Sequence, residues 1–444
     1  MFETKEIYEW AKTLAENLKI FGLKSNHRVA YLSEHQLINF LIFETALSLG
    51  ENIIVPCSFK YIKENLFEII SDIKLDYIIT DSKILSKWIA SKVNVTLCEV
   101  DINKISKTYI IKLEDKKNDS ITELKGSIVL LSSGTTSKSK YIIQTQNNFS
   151  TSIHAFSNSS LFNNSYTYLN LLPLYFSGGR KVFYSSLKNN LDIILTQSIK
   201  VDSFDFDLTS ATPYLLHQLI HQNNFKKRLK CICGGAELSE FLMQKSYESN
   251  IDVYNVYGLT ETSSITSFSE PENSKPNSVG KLCSINQYKI IDNELFVKGD
   301  TVCSYRMENG VAKYQLDKDG WLATNDIVEV DEDQYLQIIG RKSDTFKLSN
   351  GTMTSLQELN KIVGGYLENQ FSLKKIDNEN FDIYIENVEN DMFIEIIDKC
   401  NDINNNEAFF ISNVYFVSLK NNNLKFSKQV STDSYSIEHL SKLH

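Results

Sequence analysis

HRVAYLSEHQLINFLIFETALSLGENIIVPC, residues 27–57, sets the fold class. HRVAYLS reads as a strand, HQLINFLIFETALSLG as a helix that ends at Gly50, and ENIIVPC as a second strand. A strand, a crossover helix and a strand form the βαβ unit of a mostly parallel sheet with helices on its faces. LFEIISDIKLDYIITDS, residues 66–82, repeats the helix and the strand.

Further along, the pattern breaks and resumes. Residues 111–126, IKLEDKKNDSITELKG, are polar and charged and predict a surface loop separating two sheet-bearing lobes. The strand SIVLL follows, and strand and helix alternate again through YTYLNLLPL, KVDSFDFDLTSATPYLLHQLI and LKCICGGAEL. From Gln287 the segments shorten to QYKIIDNELFVKG, AKYQL and DIVEVDEDQYLQIIG, bounded by turn residues, which predicts a small antiparallel or barrel-like unit. The residues after Arg341 mix amphipathic helix and strand. The expected architecture is α/β: a large N-terminal domain, residues 1–340, of two doubly wound subdomains plus a small β-barrel-like subdomain, and a small α+β C-terminal domain, residues 341–444.

Among the 444 residues, 46 Lys and Arg stand against 55 Asp and Glu, a net charge of −9. That balance argues against general nucleic-acid binding, which needs a basic surface, so an anionic ligand requires a local positive site. FETKEIYEWAKTLAENLKIFG, directly after Met1, alternates apolar and charged residues at helical spacing, unlike a signal peptide. No apolar run approaches the roughly 20 residues that cross a bilayer. A cytoplasmic protein without a membrane span is expected, and seven cysteines, an odd number, fit reduced thiols. Cys231 and Cys233 stand two apart with no second pair nearby, which predicts alternate core positions on a strand rather than a metal site.

Two segments carry recognisable chemistry. After SIVLL comes SSGTTSKSK, residues 132–140: Gly134 permits a tight bend, Ser132, Ser133, Thr135 and Thr136 offer hydroxyl donors, and Lys138 and Lys140 supply positive charge. Such a bend can cradle phosphates, and it can equally be a solvated loop. The P-loop pattern fails, because its second glycine falls on Ser139. NVYGLTETSS, residues 255–264, sets a carboxylate beside a hydroxyl, an arrangement that suits a hard cation bridging phosphate oxygens. An exposed acid after a turn is the plain alternative.

In order and spacing these and further segments resemble the adenylate-forming superfamily of acyl-CoA synthetases, luciferases and carrier-protein adenylation domains. SSGTTSKSKY is similar to that family's [ST]-S-G-T-T-G-x-P-K-G loop, with Ser137, Ser139 and Tyr141 in place of two glycines and a proline. The resemblance implies that Ser132, Ser133, Gly134, Thr135, Thr136 and Lys140 hold ATP phosphates. Tyr257, Gly258, Leu259, Thr260 and Glu261 match Y-G-x-T-E, which implies Tyr257 stacked on adenine, Thr260 at the α-phosphate and Glu261 holding Mg²⁺. CICGGAEL resembles the G-G-A/E segment, implying that Gly234, Gly235, Ala236 and Glu237 lie close to adenine and the acyl pocket.

DGWLATNDIVEV resembles D-G-W-x-x-T-G-D, and implies that Asp326 accepts hydrogen bonds from the ribose hydroxyls; Asn325 replaces a glycine but also tolerates left-handed backbone. GRKSDTFKLSNG resembles the hinge element, with Arg341 as a second ribose contact and Ser343 at the pivot of a mobile C-terminal domain. Lys428, in NNNLKFSKQVS, stands where the family has its catalytic lysine, with Ser427 in place of glycine and no proline. LPLYFSGG, Leu172–Gly179, resembles L-P-L-F-H-x-x-G, with Phe176 in the place of a pocket-gating histidine, and implies that Phe176, Gly178 and Gly179 line the acyl channel.

The activity so implied is ATP- and Mg²⁺-dependent formation of an acyl adenylate with release of pyrophosphate, then transfer to the thiol of coenzyme A. The alternatives are the phosphopantetheine of an acyl carrier protein as acceptor, or a non-catalytic nucleotide-binding relative. Amino-acid-activating relatives place an aspartate in the LPLYFSGGRKVF region; none lies between Leu172 and Phe183, so an aryl or medium acyl acid without an α-amino group is expected. Arg180 either pairs with a second carboxylate, as in succinylbenzoate-type substrates, or is solvated.

Overall fold

A computed structural model describes residues 3–33, 37–101, 107–114, 124–132, 140–196, 198–275 and 278–348, then shorter runs at 353–355, 362–363, 366–367, 371–376, 380–386, 393–407, 409–420 and 423–431, with Leu359. The chain forms two compact units. The first runs from the N-terminus to Lys289 and adds Phe296–Ala323 and Asp331–Leu336; the second comprises Ile290–Leu295, Thr324–Val330 and the chain from Gln337 on.

The first unit holds a sheet of nine strands among the described residues, in the order Val311–Tyr314, Tyr305–Glu308, Lys140–Gln144, Ile128–Ser132, Ile53–Pro56, Arg28–Leu32, Tyr77–Thr80, Lys107–Leu113, Val95–Asp101. Its four central strands are parallel and its rims antiparallel. All five residues of Arg28–Leu32 are buried. Val29 and Tyr31 join one apolar cluster, with helices Thr4–Ile20 and Leu37–Leu49, whereas Ala30 and Leu32 join another, with Phe59–Ile73. A strand covered on both faces is apolar on both, which is why VAYL does not alternate; Arg28, at its start, is buried and donates from Nη1 to the Ile73 carbonyl at 2.7 Å. Helix starts are fixed locally: the Ser58, Ser82, Thr145, Thr212 and Ser239 side chains each accept from a backbone N–H three residues on.

A second sheet in this unit runs Ser278–Leu282, Ser267–Ser269, Ile251–Tyr257, Leu229–Gly234, Leu208–Ala211, Thr167–Asn170, Asp192–Leu195, parallel from Ile251–Tyr257 to Asp192–Leu195. Ile232 and Tyr254 enter the same cluster as Val29 and Tyr31, so the two sheets share one core. Cys231 and Cys233 face the opposite side, fully buried beside Leu169 and Val253, as their spacing predicted, and burial pushes both thiols up.

Two expectations change. The polar stretch 111–126 is not loop from its first residue: a strand runs to Leu113, and residues 115–123 lie outside the described residues. Of the small antiparallel or barrel-like unit, the hairpin is antiparallel, and no closed barrel forms among the described sheets: Tyr305–Glu308 pairs with Lys140–Gln144, so the hairpin widens the first sheet.

In the second unit, Phe371–Lys375, Asn380–Glu386, Phe410–Lys420 and Asn423–Ser431 form a sheet in that order. Its middle pair is parallel and is connected by the helix Phe393–Asn406. Ile396, Ile397, Cys400 and Ile403 of the helix bury against Phe381, Ile383, Ile385 and Ile411.

Candidate active site

Ligands of open α/β sheets bind beyond the carboxyl ends of the parallel strands. Two of the singled-out motifs sit there. Gly234 ends Leu229–Gly234, in register with Val256 next door, and Tyr257 ends Ile251–Tyr257. A Cβ on Gly234 would stand 2.6 Å from the Val256 carbonyl oxygen, and Gly235 has φ +84°, so this turn requires glycine twice. Gly235, Ala236 and Glu237 are exposed.

The Tyr257–Thr266 loop closes on itself. Thr266 N–H donates to the Tyr257 carbonyl at 2.9 Å, Ser264 N–H to the Leu259 carbonyl at 2.8 Å, and Leu259 N–H to Thr262 Oγ1 at 3.0 Å. Ser263 and Ser264 are both left-handed, with φ 53° and 60°. A Cβ on Gly258 would lie 2.4 Å from the Ser264 carbonyl carbon, so only glycine allows this approach. Three outside groups hold the loop: Cys303 N–H donates to the Glu261 carbonyl at 2.8 Å, Ser263 Oγ donates to the Thr301 carbonyl at 2.7 Å, and Lys181 Nζ donates to the Ser264 carbonyl. Thr260 and Glu261, in the turn Thr260–Thr262, stay half-buried. Among the described residues no hydrogen bond or ion pair engages the Thr260 hydroxyl or the Glu261 carboxylate.

Ile128–Ser132 and Lys140–Gln144 pack beside this turn and pair with each other, Ser132 opposite Lys140. The intervening Ser133, Gly134, Thr135, Thr136 and Lys138 lie outside the described residues. Ser132 is half-buried and Lys140 exposed, while Tyr141 turns to the other face, its hydroxyl 3.0 Å from that of Tyr61. A large residue fits where the related pattern has glycine because the strand delivers it into the core.

The element Leu172–Gly179 divides in its roles. Phe176 is the exposed N-cap of the helix Ser177–Lys188, its ring against Tyr175. Gly178 faces open space, with nothing within 4 Å of an added Cβ. Gly179 is a packing glycine, since its Cβ would stand 2.6 Å from the Pro173 carbonyl oxygen. Arg180 corrects both readings made of it: it is fully buried, neither solvated nor offered to a ligand. It grips Glu44 with two hydrogen bonds, of 2.5 and 2.6 Å. Tyr31 and Tyr184 hydroxyls also donate to that carboxylate. Burial alone would raise the Glu44 pKa, but the Arg180 charge and these hydrogen bonds outweigh it and hold the carboxyl below its ordinary value.

In the second unit, Asp326 is buried and its Oδ1 lies 2.9 Å from Arg341 Nε. Arg341 Nη1 also donates to the Thr324 carbonyl. Asn325 adopts φ 59°, the left-handed backbone expected of it. Ser343 lies in an exposed turn, its hydroxyl donating to Asp344 Oδ1 at 2.8 Å. Lys428 lies on Asn423–Ser431 opposite Phe416, with Val417 opposite Phe426, so Ser427 is the extra residue of a bulge. Among the described residues, His, Cys, Asp and Glu form no group of three that could cage a metal.

A family model described as AMP-binding enzyme matches residues 4–302. This chain belongs to the AMP-binding enzyme family. A luciferin 4-monooxygenase of Photuris pensylvanica is 27% identical over 395 residues, 77% of this chain and 72% of that one. A 2-succinylbenzoate–CoA ligase of Listeria monocytogenes is 23% identical over 376 residues, 82% of this chain and 78% of that one. In fold, the chain is similar to the o-succinylbenzoate CoA synthetase of Bacillus subtilis in complex with its acyl-adenylate intermediate. The TM-score there is 0.74 at 20% identity, covering 93% of this chain and 88% of that one.

Within this AMP-binding enzyme, sequence reading missed the supports of the site: Cys303 and Thr301 behind the Tyr257–Thr266 loop, Lys181 beneath it, and Glu44 against Arg180. One signal was available. Arg180 and Lys181 directly adjoin the apolar pair Val182 and Phe183, at positions that the structure buries, and a buried cation demands a partner. No helix of the described residues is long and apolar enough to cross a membrane.

Proposed function

We propose that this enzyme joins a carboxylic acid to ATP, forming an acyl adenylate and pyrophosphate, and then passes the acyl group to the thiol of coenzyme A. One observation carries the reading. The Thr260–Thr262 turn, braced from three sides at the carboxyl end of a parallel sheet, presents a hydroxyl and a carboxylate that no described residue engages. A lone half-buried carboxylate with no protein cage fits Mg²⁺, which keeps waters and is shared with substrate phosphates. Glu261 would hold that ion; when bound, it draws charge from the phosphate oxygens.

The chemical problem is repulsion between two anions. A pair of unit charges about 4 Å apart interacts by roughly 1 kcal/mol in water but about 4 at an effective dielectric near 20. Positive charge and oriented donors in a partly dried cleft therefore matter more than an acid or base. The attacking carboxylate is already ionised, so no general base is needed. In this reading, Thr260 donates to the α-phosphate, Tyr257 stacks on adenine beside Gly258, and Gly235, Ala236 and Glu237 border it. Ser132, Ser133, Gly134, Thr135, Thr136 and Lys140 hold the outer phosphates. Asp326, fixed by Arg341, takes the ribose hydroxyls. Lys428 brings positive charge to the reacting oxygens during adenylation and withdraws with residues 341–444 before the thiol enters, pivoting at Ser343.

Gly178 and Phe176 line the acid's pocket, with Gly179 setting their backbone. Because Glu44 occupies Arg180, that arginine binds no second carboxylate. An aryl or medium acyl acid is the substrate class, and 2-succinylbenzoate heads the trial because several relatives are named for it. The same names favour coenzyme A over a carrier protein, although phosphopantetheine presents the same thiol. The cytoplasm, where thiols stay reduced, suits seven unpaired cysteines.

A panel of carboxylic acids, followed by pyrophosphate release and then by mass spectrometry after adding coenzyme A, tests the reading. At least one acid is expected to release pyrophosphate and give its thioester. Nucleotide binding with no acid-dependent release across aryl and medium acyl acids rejects it.

A further inference from the structure

Lys181 lies on the helix that begins at the acid-pocket element, and points into the core. It is 2% exposed, and its Nζ donates to the Ser264 carbonyl and sits 4.2 Å from the centre of the Phe156 ring. Among the described residues no carboxylate pairs with it. The titratable group that acts on it is Cys283, itself raised by burial. Burial costs this ammonium enough to bring its pKa to about 8. An apolar side chain would fill that core without the penalty, so what the amine adds is a donor to one backbone oxygen.

That oxygen belongs to the second of two consecutive left-handed serines, a backbone that disfavours any side chain. Ser264 also closes the loop onto Leu259, directly before Thr260 and Glu261. We propose that Lys181 is a positioning residue for the nucleotide-binding turn: by holding the Ser264 carbonyl it keeps the left-handed pair in place and aims Thr260 and Glu261. The same helix carries Gly178 at its start, so one rigid element ties the acid pocket to the turn. This role rests on the function proposed above.

The test compares wild type, Lys181→Met and Lys181→Arg in steady-state kinetics and in hydrogen exchange of the peptide spanning residues 257–266. Methionine keeps the volume and removes the donor. Loss of one charged hydrogen bond should raise KM for MgATP about tenfold, leave KM for the acid within twofold, and speed exchange of that peptide about tenfold. Arginine, still a donor, should restore KM for MgATP to within about threefold of wild type. A purely structural defect would lower the active fraction and leave both KM values alone. Should the methionine variant not fold, Lys181→Gln, which ends short of the carbonyl, should give the same split. Unaltered exchange, or two KM values that move together, overturns the proposal. Because exchange needs no turnover, it judges Lys181 even if no acid supports adenylation, which would count against the reaction alone.

Discussion

Glu44 and Arg180 are 136 positions apart, and their side chains are 6% and 0% exposed. Removing one member of such a pair strands a buried charge, so Glu44→Gln is expected to lower unfolding free energy by about 3–5 kcal/mol, whereas joint replacement by Glu44→Met and Arg180→Met costs much less. Urea unfolding at neutral pH checks both. The pH dependence follows from the lowered Glu44 pKa. The unfolded chain binds its proton more readily, so the pair's contribution is fully present above the ordinary value of 4.5 and is lost as pH falls through the lower folded value. The advantage of wild type over the double variant should shrink on acidification below about 4.5 and stay flat above it. Neither residue's partner could be read from the chain: an arginine directly after two glycines carries no sign of which distant carboxylate answers it.

At the scale of elements, the first parallel strands were legible because their apolar runs are nearly unbroken: RVAYL, IIVP and YIIT all became buried parallel strands. The Y-G-x-T-E loop was legible as a motif, and its shape was not, since the three groups that brace it come from other elements. Glycines separate by what they touch. Gly258→Ala forces backbone apart at Ser264 and is expected to raise KM for MgATP at least tenfold. Gly179→Ala should cost about 1–3 kcal/mol of stability through its contact with Pro173. Gly178→Ala meets nothing and should leave stability within about 1 kcal/mol, or gain slightly, while raising KM for the acid. Thermal unfolding alongside kinetics distinguishes the three; a destabilised Gly178→Ala with unchanged KM would remove that residue from the pocket.

At the scale of the molecule, two sheet-bearing lobes were legible, but their shared core was not, because periodicity marks a buried face without saying what covers it. The short strands of the small antiparallel or barrel-like unit illustrate the same gap, for a hairpin carries no sign of the distant edge it will join. The proposed roles of the two units make Lys428 separable by half-reaction. Lys428→Ala is expected to slow adenylation about a hundredfold while binding ATP normally and turning supplied acyl adenylate into thioester near the wild-type rate. Equal loss in both half-reactions would place that lysine elsewhere in the mechanism.

The central claim is that a carboxylate oxygen bonds to the α-phosphorus of ATP before the acyl group reaches sulfur. With the acid found by the panel labelled with ¹⁸O in its carboxyl group, and coenzyme A present, mass spectrometry of the released nucleotide reads that step directly. One labelled oxygen should appear in AMP for each thioester formed; unlabelled AMP, or ADP and labelled inorganic phosphate, would contradict the mechanism.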